Sequence, residues 1–366
     1  MPNLRFPEFE GEWEECLLKD VAEISKGTGI SKDQLSETGH PCILYGELYT
    51  KYKSEVISEV LSRTNIENSN LVQSKSNDVI IPSSGETAID ISTARCVPFS
   101  NILLGGDLNI IRLKEHDGRF LSYQLNGVRK LEIAKIAQGV SVVHLYGESL
   151  KRLKIKLPSI QEQNKISSLL NLIDERIATQ NRIIEKYESL IKGIAKQLAK
   201  HTPNTRIADC VECHSSTLQE NQLDGEGIYK VYGANGLCGY TKTPSISGDS
   251  ILIVKDGSGV GNVSYVNGDY SVIGTSNYLT AKESFSLRYI YYCLMVFNFQ
   301  PYKTGMAIPH IYFKDYGKAK IYCPKREQQE NIAAILYIIE HKINMEKSIK
   351  DLFISQKKYL LRSMFK

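Results

Sequence analysis

Residues 139–166 read GVSVVHLYGESLKRLKIKLPSIQEQNKI, and residues 305–332 read GMAIPHIYFKDYGKAKIYCPKREQQENI. The two stretches align without a gap. The repeat period, from residue 139 to residue 305, is much longer than the repeat unit of a solenoid, and a solenoid needs three or more copies. The repeat therefore predicts two similar domains in one chain, related by an approximate internal two-fold. The identical pairs are Gly139 and Gly305, His144 and His310, Tyr146 and Tyr312, Lys154 and Lys320, Ile155 and Ile321, Pro158 and Pro324, Gln163 and Gln329, and Ile166 and Ile332.

A long helix is predicted after the first copy of the repeat. Residues 159–202 contain one glycine and no proline. Ser159 followed by Glu162 has the spacing of a capping box. Apolar residues then recur at alternating steps of four and three, which indicates a heptad seam packed on a partner helix. The seam consists of Ile166, Leu170, Ile173, Ile177, Ile184, Tyr187, Ile191, Ile194 and Leu198.

The second copy predicts the partner helix, over residues 325–366. Its pattern is irregular between Ile343 and Ile349. Gln180 and Glu346 interrupt the two seams at equivalent positions, where a buried polar pair can fix helix register at a cost in stability. The alternative is that both side chains reach past the seam to water. The second seam consists of Ile332, Leu336, Ile339, Ile343, Ile349, Phe353, Leu360 and Met364.

Short β-like runs separated by glycine-rich turns precede each long helix. One helical stretch is predicted late in each half, near 120–137 and 286–299. The halves resemble each other most in their strands and diverge in their loops. The strand-like runs are DVII at 78–81, NILL at 101–104, LNIIRL at 108–113, IYKVYG at 228–233, SILIVK at 250–255 and VSYV at 263–266.

The predicted fold is therefore α+β. Two similar strand-rich globular domains, 1–158 and 203–324, are each followed by a long helix, 159–202 and 325–366. The two helices are expected to pack on each other as a coiled coil with pseudo-two-fold symmetry. Loops on a shared rigid frame are where two related domains would carry different specificities.

Composition narrows the class of protein. The chain has 366 residues and a net charge of +4, which permits a nucleic-acid partner without indicating one. No apolar run approaches the ~20 residues that span a bilayer. The N-terminal stretch is acidic and lacks an apolar export core. Eight scattered cysteines suit reduced thiols, so we expect a cytoplasmic protein without membrane association.

A search for catalytic chemistry finds no complete constellation. CVECH at 210–214 has the spacing of a haem-attachment string, but no export signal accompanies it and no second ligand pair completes a zinc site. GSGVG at 257–261 lacks the last glycine of a dinucleotide fingerprint. His144 and His310 repeat, and a structural hydrogen-bonding role is favoured over acid–base catalysis. We expect no cofactor, no metal and no catalysis by this chain alone.

A nucleic-acid interface is predicted in loops rich in lysine and hydroxyl groups. Lysine, serine and backbone amides suit phosphates, and glutamine and lysine suit base edges in the major groove. The alternative for any single loop residue is ordinary solvated surface. The candidate DNA contacts are Lys75, Ser83, Ser84, Gln138 and Ser141 in the first half and Lys255, Ser258, Lys303 and Thr304 in the second.

The repeated segments resemble one known family, the specificity (S) subunits of type I restriction–modification systems. The resemblance rests on KIKLPSIQEQNKISSLLNLID at 154–174, KIYCPKREQQENIAAILYIIE at 320–340 and the heptad helix after each. One departure is Lys325-Arg326-Glu327, where the first copy has Ser159-Ile160-Gln161. This difference alters the capping of the second helix.

The resemblance implies a function without catalysis. Two target-recognition domains would each read one half of a bipartite DNA sequence. The two helices would pack as an antiparallel coiled coil whose length sets the gap between the half-sites. Two modification subunits would bring S-adenosylmethionine for methyl transfer, and restriction subunits would translocate and cut double-stranded DNA with ATP. The rival interpretation is a tandem-repeat scaffold that binds protein helices and has no DNA role.

Overall fold

The computed structural model describes residues 2–67, 70–223 and 227–365. It confirms an α+β fold in which two strand-rich halves each end in a long helix, and these two helices contact each other. No helix within the described residues is long and apolar enough to cross a bilayer.

The first half alternates short strands with short helices before its long helix. Its strands are β1 (Glu14–Leu17), β2 (Ala22–Lys26), β3 (Leu35–Ser36), β4 (His40–Ile43), β5 (Ser62–Thr64), β6 (Asp78–Pro82), β7 (Ser84–Gly85), β8 (Arg95–Val97), β9 (Leu103–Leu104), β10 (Leu108–Leu113), β11 (Val143–His144) and β12 (Lys154–Leu157). Its helices are α1 (Leu18–Val21), α2 (Glu47–Thr50), α3 (Ala88–Ile91), α4 (Gly118–Asn126), α5 (Lys130–Ile136), α6 (Gly147–Lys151) and the long α7 (Ile160–Leu198).

The second half follows the same plan with fewer short helices among its described residues. Its strands are β13 (Thr205–Arg206), β14 (Val211–Ser215), β15 (Tyr229–Gly233), β16 (Gly236–Thr241), β17 (Ile246–Ser247), β18 (Ser250–Val254), β19 (Val263–Val266), β20 (Asp269–Val272), β21 (Ser276–Ala281) and β22 (Lys320–Ile321). Its helices are α8 (Ile207–Cys210), α9 (Leu287–Met295), α10 (Phe313–Tyr316) and the long α11 (Arg326–Met364).

A four-stranded antiparallel sheet is built twice. Its strand order is β2-β10-β6-β8 in the first half and β14-β21-β18-β19 in the second. The inner strands β6 and β18 are buried along their whole length, which is why both sequences are continuous apolar runs. The predicted runs at 78–81 and 250–255 are thus the same strand of the same sheet.

The remaining sheets differ between the halves. The first half adds β3-β5-β4-β9, whereas the second adds β16-β15-β20-β17. A short pair, β1 with β12 and β13 with β22, joins the start of each half to the strand before its long helix. The two halves therefore share the four-stranded sheet and the short strand pair before the long helix, and they differ in their remaining sheets.

The chain folds as two compact units, and each contains part of both long helices. The first unit comprises residues 1–180 and 349–366, and the second comprises 181–348. Both long helices have 39 residues, which corresponds to about 58 Å at 1.5 Å per residue. The sequence-based division instead made each helix a segment of its own.

Within the first unit, the beginning of α7 packs with the end of α11. Ile166, Leu170 and Ile173 share a core with Leu360 and Met364. Within the second unit, the end of α7 packs with the beginning of α11, because Ile184 and Ile191 share a core with Leu336 and Ile343. Early residues of one helix meet late residues of the other in both units, so the helices run antiparallel as predicted.

The predicted seam of α7 is correct, but one position of the α11 seam is wrong. Ile349 is 36% exposed and lies off the seam. Lys350 and Lys357 are only partly exposed and continue the regular steps of four and three through Phe353 to Leu360. Counting only apolar residues missed them, because a lysine can occupy a seam position when its stem packs and its ammonium finds a carboxylate.

Gln180 and Glu346 are both half-buried. The Gln180 Oε1 atom is buried and has no hydrogen-bond partner among the described residues. A buried amide oxygen without a partner costs stability, which agrees with an interruption of the seam. The role of the two residues in helix register remains a hypothesis.

The repeated glutamine ties each long helix to the globular part of its half. The Gln163 side chain donates to the Pro158 carbonyl at 2.8 Å and accepts from the Asp117 N–H, at the start of α4, at 3.1 Å. Gln329 makes the matching bonds in the second half, to the Pro324 carbonyl at 2.8 Å and from the Ser286 N–H at 3.0 Å. Both glutamines are almost fully buried.

The start of α7 is only partly capped as predicted. The Ser159 hydroxyl accepts from the Glu162 N–H at 3.3 Å. The Glu162 carboxylate does not complete the box, because it binds the Arg5 guanidinium at 2.7 and 2.8 Å. Arg326, at the start of α11, donates to the carbonyls of Glu283 and Phe285. Each helix start is therefore fixed by contacts that a capping rule does not specify.

A second tie joins a tyrosine of the globular part to a carboxylate on the long helix. The Tyr123 hydroxyl donates to Asp174 at 2.8 Å, and the Tyr292 hydroxyl donates to Glu340 at 2.9 Å. In the first unit Lys357 also binds Asp174, together with Glu55. The Lys357 side chain is 13% exposed, so this is a buried ion network between α7, α11 and the globular part of that unit.

We expect Lys357→Met to destabilise the protein by about 3–5 kcal/mol at neutral pH, because two buried carboxylates lose their cation. Burial raises the pKa of Asp174 above its ordinary value, and Lys357 opposes that rise. A raised folded-state pKa means that the folded protein binds more protons than the unfolded chain. Stability therefore falls as pH rises from the pKa of Asp174 in the unfolded chain to its pKa in the folded protein.

Loss of Lys357 raises the Asp174 pKa further, and the destabilisation should therefore be smaller at pH 5 than at pH 8. Denaturant unfolding at both pH values measures it, with Lys358→Met, an exposed neighbour, as the control. An equal loss at both pH values would contradict the role of the ion network.

Candidate nucleic-acid interface

The repeated motif folds into the same closed loop in each half. In the first loop, the Gln138 and His144 backbones exchange hydrogen bonds of 2.9 and 2.7 Å. In the second, Thr304 and His310 exchange bonds of 2.9 and 2.7 Å. We call these two segments the tip loops. The tip loops are residues 138–144 and 304–310.

The repeated glycine is required by the shape of the tip loop. Gly139 has φ +122° and Gly305 has φ +88°. A Cβ atom on Gly139 would overlap the carbonyl oxygen of Val142, and one on Gly305 would overlap that of Ile308. Glycine is the residue that tolerates both the positive φ and the close backbone approach. The loop conformation is therefore encoded in the repeat itself.

Each tip loop is anchored to the segment that follows the buried inner strand of the repeated sheet. The Leu145 N–H donates to the Ser83 carbonyl at 2.9 Å, and the Ile311 N–H donates to the Lys255 carbonyl at 3.0 Å. Ser83 and Lys255 are thus structurally equivalent. One residue further on, Ser84 pairs with His144 in the first half. The loop and this segment together form one surface in each half.

The equivalent positions carry different chemistry in the two halves. The first surface presents the exposed Gln138 and Ser141, with Ser83 and Ser84 buried beneath them. The second presents the exposed Ser258 and Thr304 and the half-buried Lys255 and Lys303. One frame therefore displays hydroxyl and amide groups in the first half and adds cations in the second.

A basic cleft lies beside the first tip loop. It has a volume of about 700 Å³, and its charged lining consists of the cations Arg129, Lys135, Arg152 and Lys154 and the acids Glu132 and Glu148, with Gln138 beside them. Arg129 donates to Glu132 at 2.7 Å, while its Nε atom is buried without a hydrogen-bond partner among the described residues. The cleft is an electropositive recess that could hold phosphate groups.

Comparison with known proteins assigns this architecture. The family model described as type I restriction modification DNA specificity domain matches residues 10–189 and 204–352. The chain belongs to this family. The resemblance seen in the sequence is confirmed, and the family's specificity subunit is the non-catalytic part of the type I complex.

Among curated relatives, the specificity subunit of type I restriction enzyme EcoprrI from Escherichia coli is 28% identical over 109 residues, covering 30% of this chain and 27% of the relative. The MjaVIII specificity subunit from Methanocaldococcus jannaschii is 25% identical over 54% of this chain and 44% of its own length. The matches thus span less than half of these two relatives. A putative type I specificity subunit from Mycoplasma genitalium is 22% identical over 70% of this chain and 73% of its own length.

Solved structures support the specificity-subunit fold. The crystal structure of an S subunit from M. genitalium covers 100% of this chain and 99% of its own, with a TM-score of 0.72 at 18% identity. A chain from a structural study of complex assembly and conformational transition in the type I R-M system covers 98% and 99%, with a TM-score of 0.56 at 14% identity. At these identities the likeness concerns the fold alone.

In this specificity-subunit fold, most of the candidate DNA-contact residues lie on the tip-loop surfaces, but Lys75 does not. Lys75 is exposed and lies before β6, whereas Ser83 follows that strand. The two residues therefore lie at opposite ends of β6. Lys75 remains a separate hypothesis from the tip-loop group.

The two repeated histidines close the tip loops through their backbones and differ in their side chains. The His310 Nδ1 atom lies 2.7 Å from the Asp256 carboxylate. His144 is exposed, and its ring stacks on Tyr146 with 6.1 Å between centroids. Ser84 occupies the position equivalent to Asp256, so the side-chain bond has no counterpart there. The structural role common to both is thus the backbone pair.

Sequence reasoning missed the basic cleft. Arg129 directly precedes α5, Lys135 lies within it, Arg152 directly follows α6 and Lys154 lies on β12. Arg152 and Lys154 belong to the basic run KRLKIK at 151–156, but only the fold brings this run beside Arg129 and Lys135.

The CVECH segment lies on α8 and β14 of the second unit. Cys210 packs against Cys323 with 3.7 Å between the sulfur atoms. Burial raises the pKa of the Cys213 thiol to about 11, which disfavours the thiolate that binds metals. Within the described residues, no group of three or more histidine, cysteine and acidic side chains is placed to hold a metal ion.

Proposed function

We propose that this chain reads a bipartite target in double-stranded DNA as the non-catalytic specificity subunit of a type I restriction–modification complex. The observation that carries the proposal is the duplicated tip-loop surface: one backbone frame is built twice and displays different polar groups from equivalent positions. Two half-sites of different sequence require two related readers with different side chains. The family membership and the shared fold support the same function.

In each half, cations and hydroxyl groups would position the domain on phosphates, and the variable side chains would read base edges. Gln138, Ser141, Ser258 and Thr304 are exposed and would face a groove. Ser83 and Ser84 are buried and would act from beneath the loop. Lys255, Lys303 and Lys75 would bind phosphates.

The partners in this proposal are two modification subunits, which bring S-adenosylmethionine, and restriction subunits, all in the cytoplasm. We infer that α11 offers a surface to a protein partner within each unit. Residues seven apart share one side of a helix, and each unit has one such pair of apolar side chains on α11, all more than half exposed. The pairs are Ile338 and Met345 in the second unit and Leu352 and Tyr359 in the first.

The proposal is tested by sequencing DNA methylation in cells that hold the modification subunits, with and without this chain. We expect methylation of a single interrupted sequence motif only when the chain is present. Methylation that is unchanged on removal of the chain, or methyl transfer by the chain without partners, would contradict the proposal.

We expect Lys255→Ala to weaken DNA binding by the assembled complex. If Lys255 binds a phosphate, affinity falls for all sequences and the slope of log affinity against log salt decreases by about 1. If it reads a base, discrimination is lost at one position of one half-site. Titration of target and random DNA at several salt concentrations separates the two cases.

Lys192→Ala is the matched control, because this lysine is exposed on α7 away from the tip loops. Affinity and salt slope equal to wild type in the Lys255 variant would remove this residue from the interface.

A further inference from the structure

The tip loops carry apolar side chains that point fully into solvent. Val140 is 96% exposed in the first loop, and Met306, its equivalent in the repeat, is 102% exposed in the second. Two residues further on, Val142 is 52% exposed and its equivalent Ile308 is 59% exposed. The same two positions are therefore apolar and exposed in both halves.

A single exposed apolar residue needs no explanation, because much of any protein surface is apolar. The repetition is the informative observation. The amino acids differ at both positions, Val against Met and Val against Ile. What the two halves share is the apolar character and the exposure, although polar residues elsewhere in the loops have changed. This pattern indicates a common contact rather than a common core position.

The loops hold these side chains in place before any partner arrives. Each tip is closed by two backbone hydrogen bonds and turns at a glycine with positive φ. Its base is fixed to Ser83 or Lys255 by a further backbone bond. A side chain displayed on a fixed backbone loses less entropy on binding than one on a loop that must first be ordered.

Polar residues flank the apolar tips. Ser141 lies between the two valines of the first tip loop, and the second tip loop begins at Thr304, with Lys303 immediately before it. The surface area of two such side chains is far smaller than the ~800 Å² that each partner contributes to a typical protein–protein interface. Cations and hydroxyl groups around a small apolar projection instead match a nucleic acid, whose phosphates flank apolar base faces and thymine methyl groups.

We propose that the tips are apolar base contacts: Val140 and Val142 pack against bases of one half-site, and Met306 and Ile308 pack against bases of the other. This inference rests on the proposed function and deepens it, because it assigns part of the sequence choice to apolar contact rather than to hydrogen bonds. Such contacts act on a thymine methyl group or as a wedge at a base step.

The test uses the complex assembled with its modification subunits and four variants of the full chain. Val140→Ser and Met306→Ser remove the apolar tips. Leu131→Ser and Ile228→Ser are matched controls, because these residues lie outside the tip loops and are apolar and 66% and 80% exposed. Binding to the wild-type target and to random DNA is measured, and each complex then selects its preferred sites from a DNA pool randomised at every target position.

We expect each tip variant to bind the target about tenfold more weakly, as for loss of one good base contact. Binding to random DNA should be unchanged. In the selected sites, Val140→Ser should relax one half-site and Met306→Ser the other, whereas both controls should match wild type.

Wild-type affinity and unchanged selection in both tip variants would overturn the inference. So would tip variants that assemble poorly with modification subunits but, once assembled, bind the target normally, since the tips would then contact protein. Failure of the proposed function is distinguishable, because the wild-type complex itself would then show no sequence preference.

Discussion

The antiparallel packing of α7 on α11 is the constraint on which the rest of the structure depends. Each compact unit contains the beginning of one long helix and the end of the other. The apolar seam supplies the driving force, because its residues are buried in the same cores as the sheets. The first unit cannot complete its core from a continuous stretch of chain, whereas the second unit is the single stretch 181–348. The end of the sequence therefore stabilises the first half.

Two polar ties fix each globular part on this helix pair. Gln163 and Gln329 bind the start of the long helix to the start of α4 or α9. Tyr123 and Tyr292 bind those same short helices to carboxylates further along. Buried polar groups that are fully satisfied specify one arrangement rather than many. The tip loops are thus presented by a frame that is fixed at several points, which a reader of base sequence requires.

The sequence predicted the parts of the fold that depend on periodicity. Both long helices and the central strands follow from apolar spacing, and β10 and β19 coincide with the predicted runs. The antiparallel direction of the helices was implied by the family resemblance and not by the spacing. Ile349 was misplaced because seam positions were taken to be apolar, whereas Lys357 occupies one. Its partners Glu55 and Asp174 are distant in the sequence, so no local rule reveals that the charge is satisfied.

The candidate site was predicted less completely, because it too depends on contacts between residues that no local sequence rule connects. Gly139 and His144 were visible as repeats, but the closed loop they form depends on backbone pairs. The basic cleft joins the basic run at 151–156 to Arg129 and Lys135, which lie in an earlier segment of the chain. Val140 and Met306 were passed over because an apolar residue in a sequence usually indicates a core position. Exposure, which only the fold supplies, distinguishes them.

Hydrogen exchange of the full chain carrying Phe365→Ala tests the shared-helix architecture most directly. Phe365 is 4% exposed, and its ring lies 5.0 Å from Phe120 and 6.1 Å from Trp13 in the core of the first unit. Its loss should cost about 3–5 kcal/mol. We predict faster exchange in β6 and β10, no change in β18 and β21, and no change anywhere for the exposed control Leu352→Ala. Faster exchange confined to the second unit, or unchanged exchange in the first, would contradict the account.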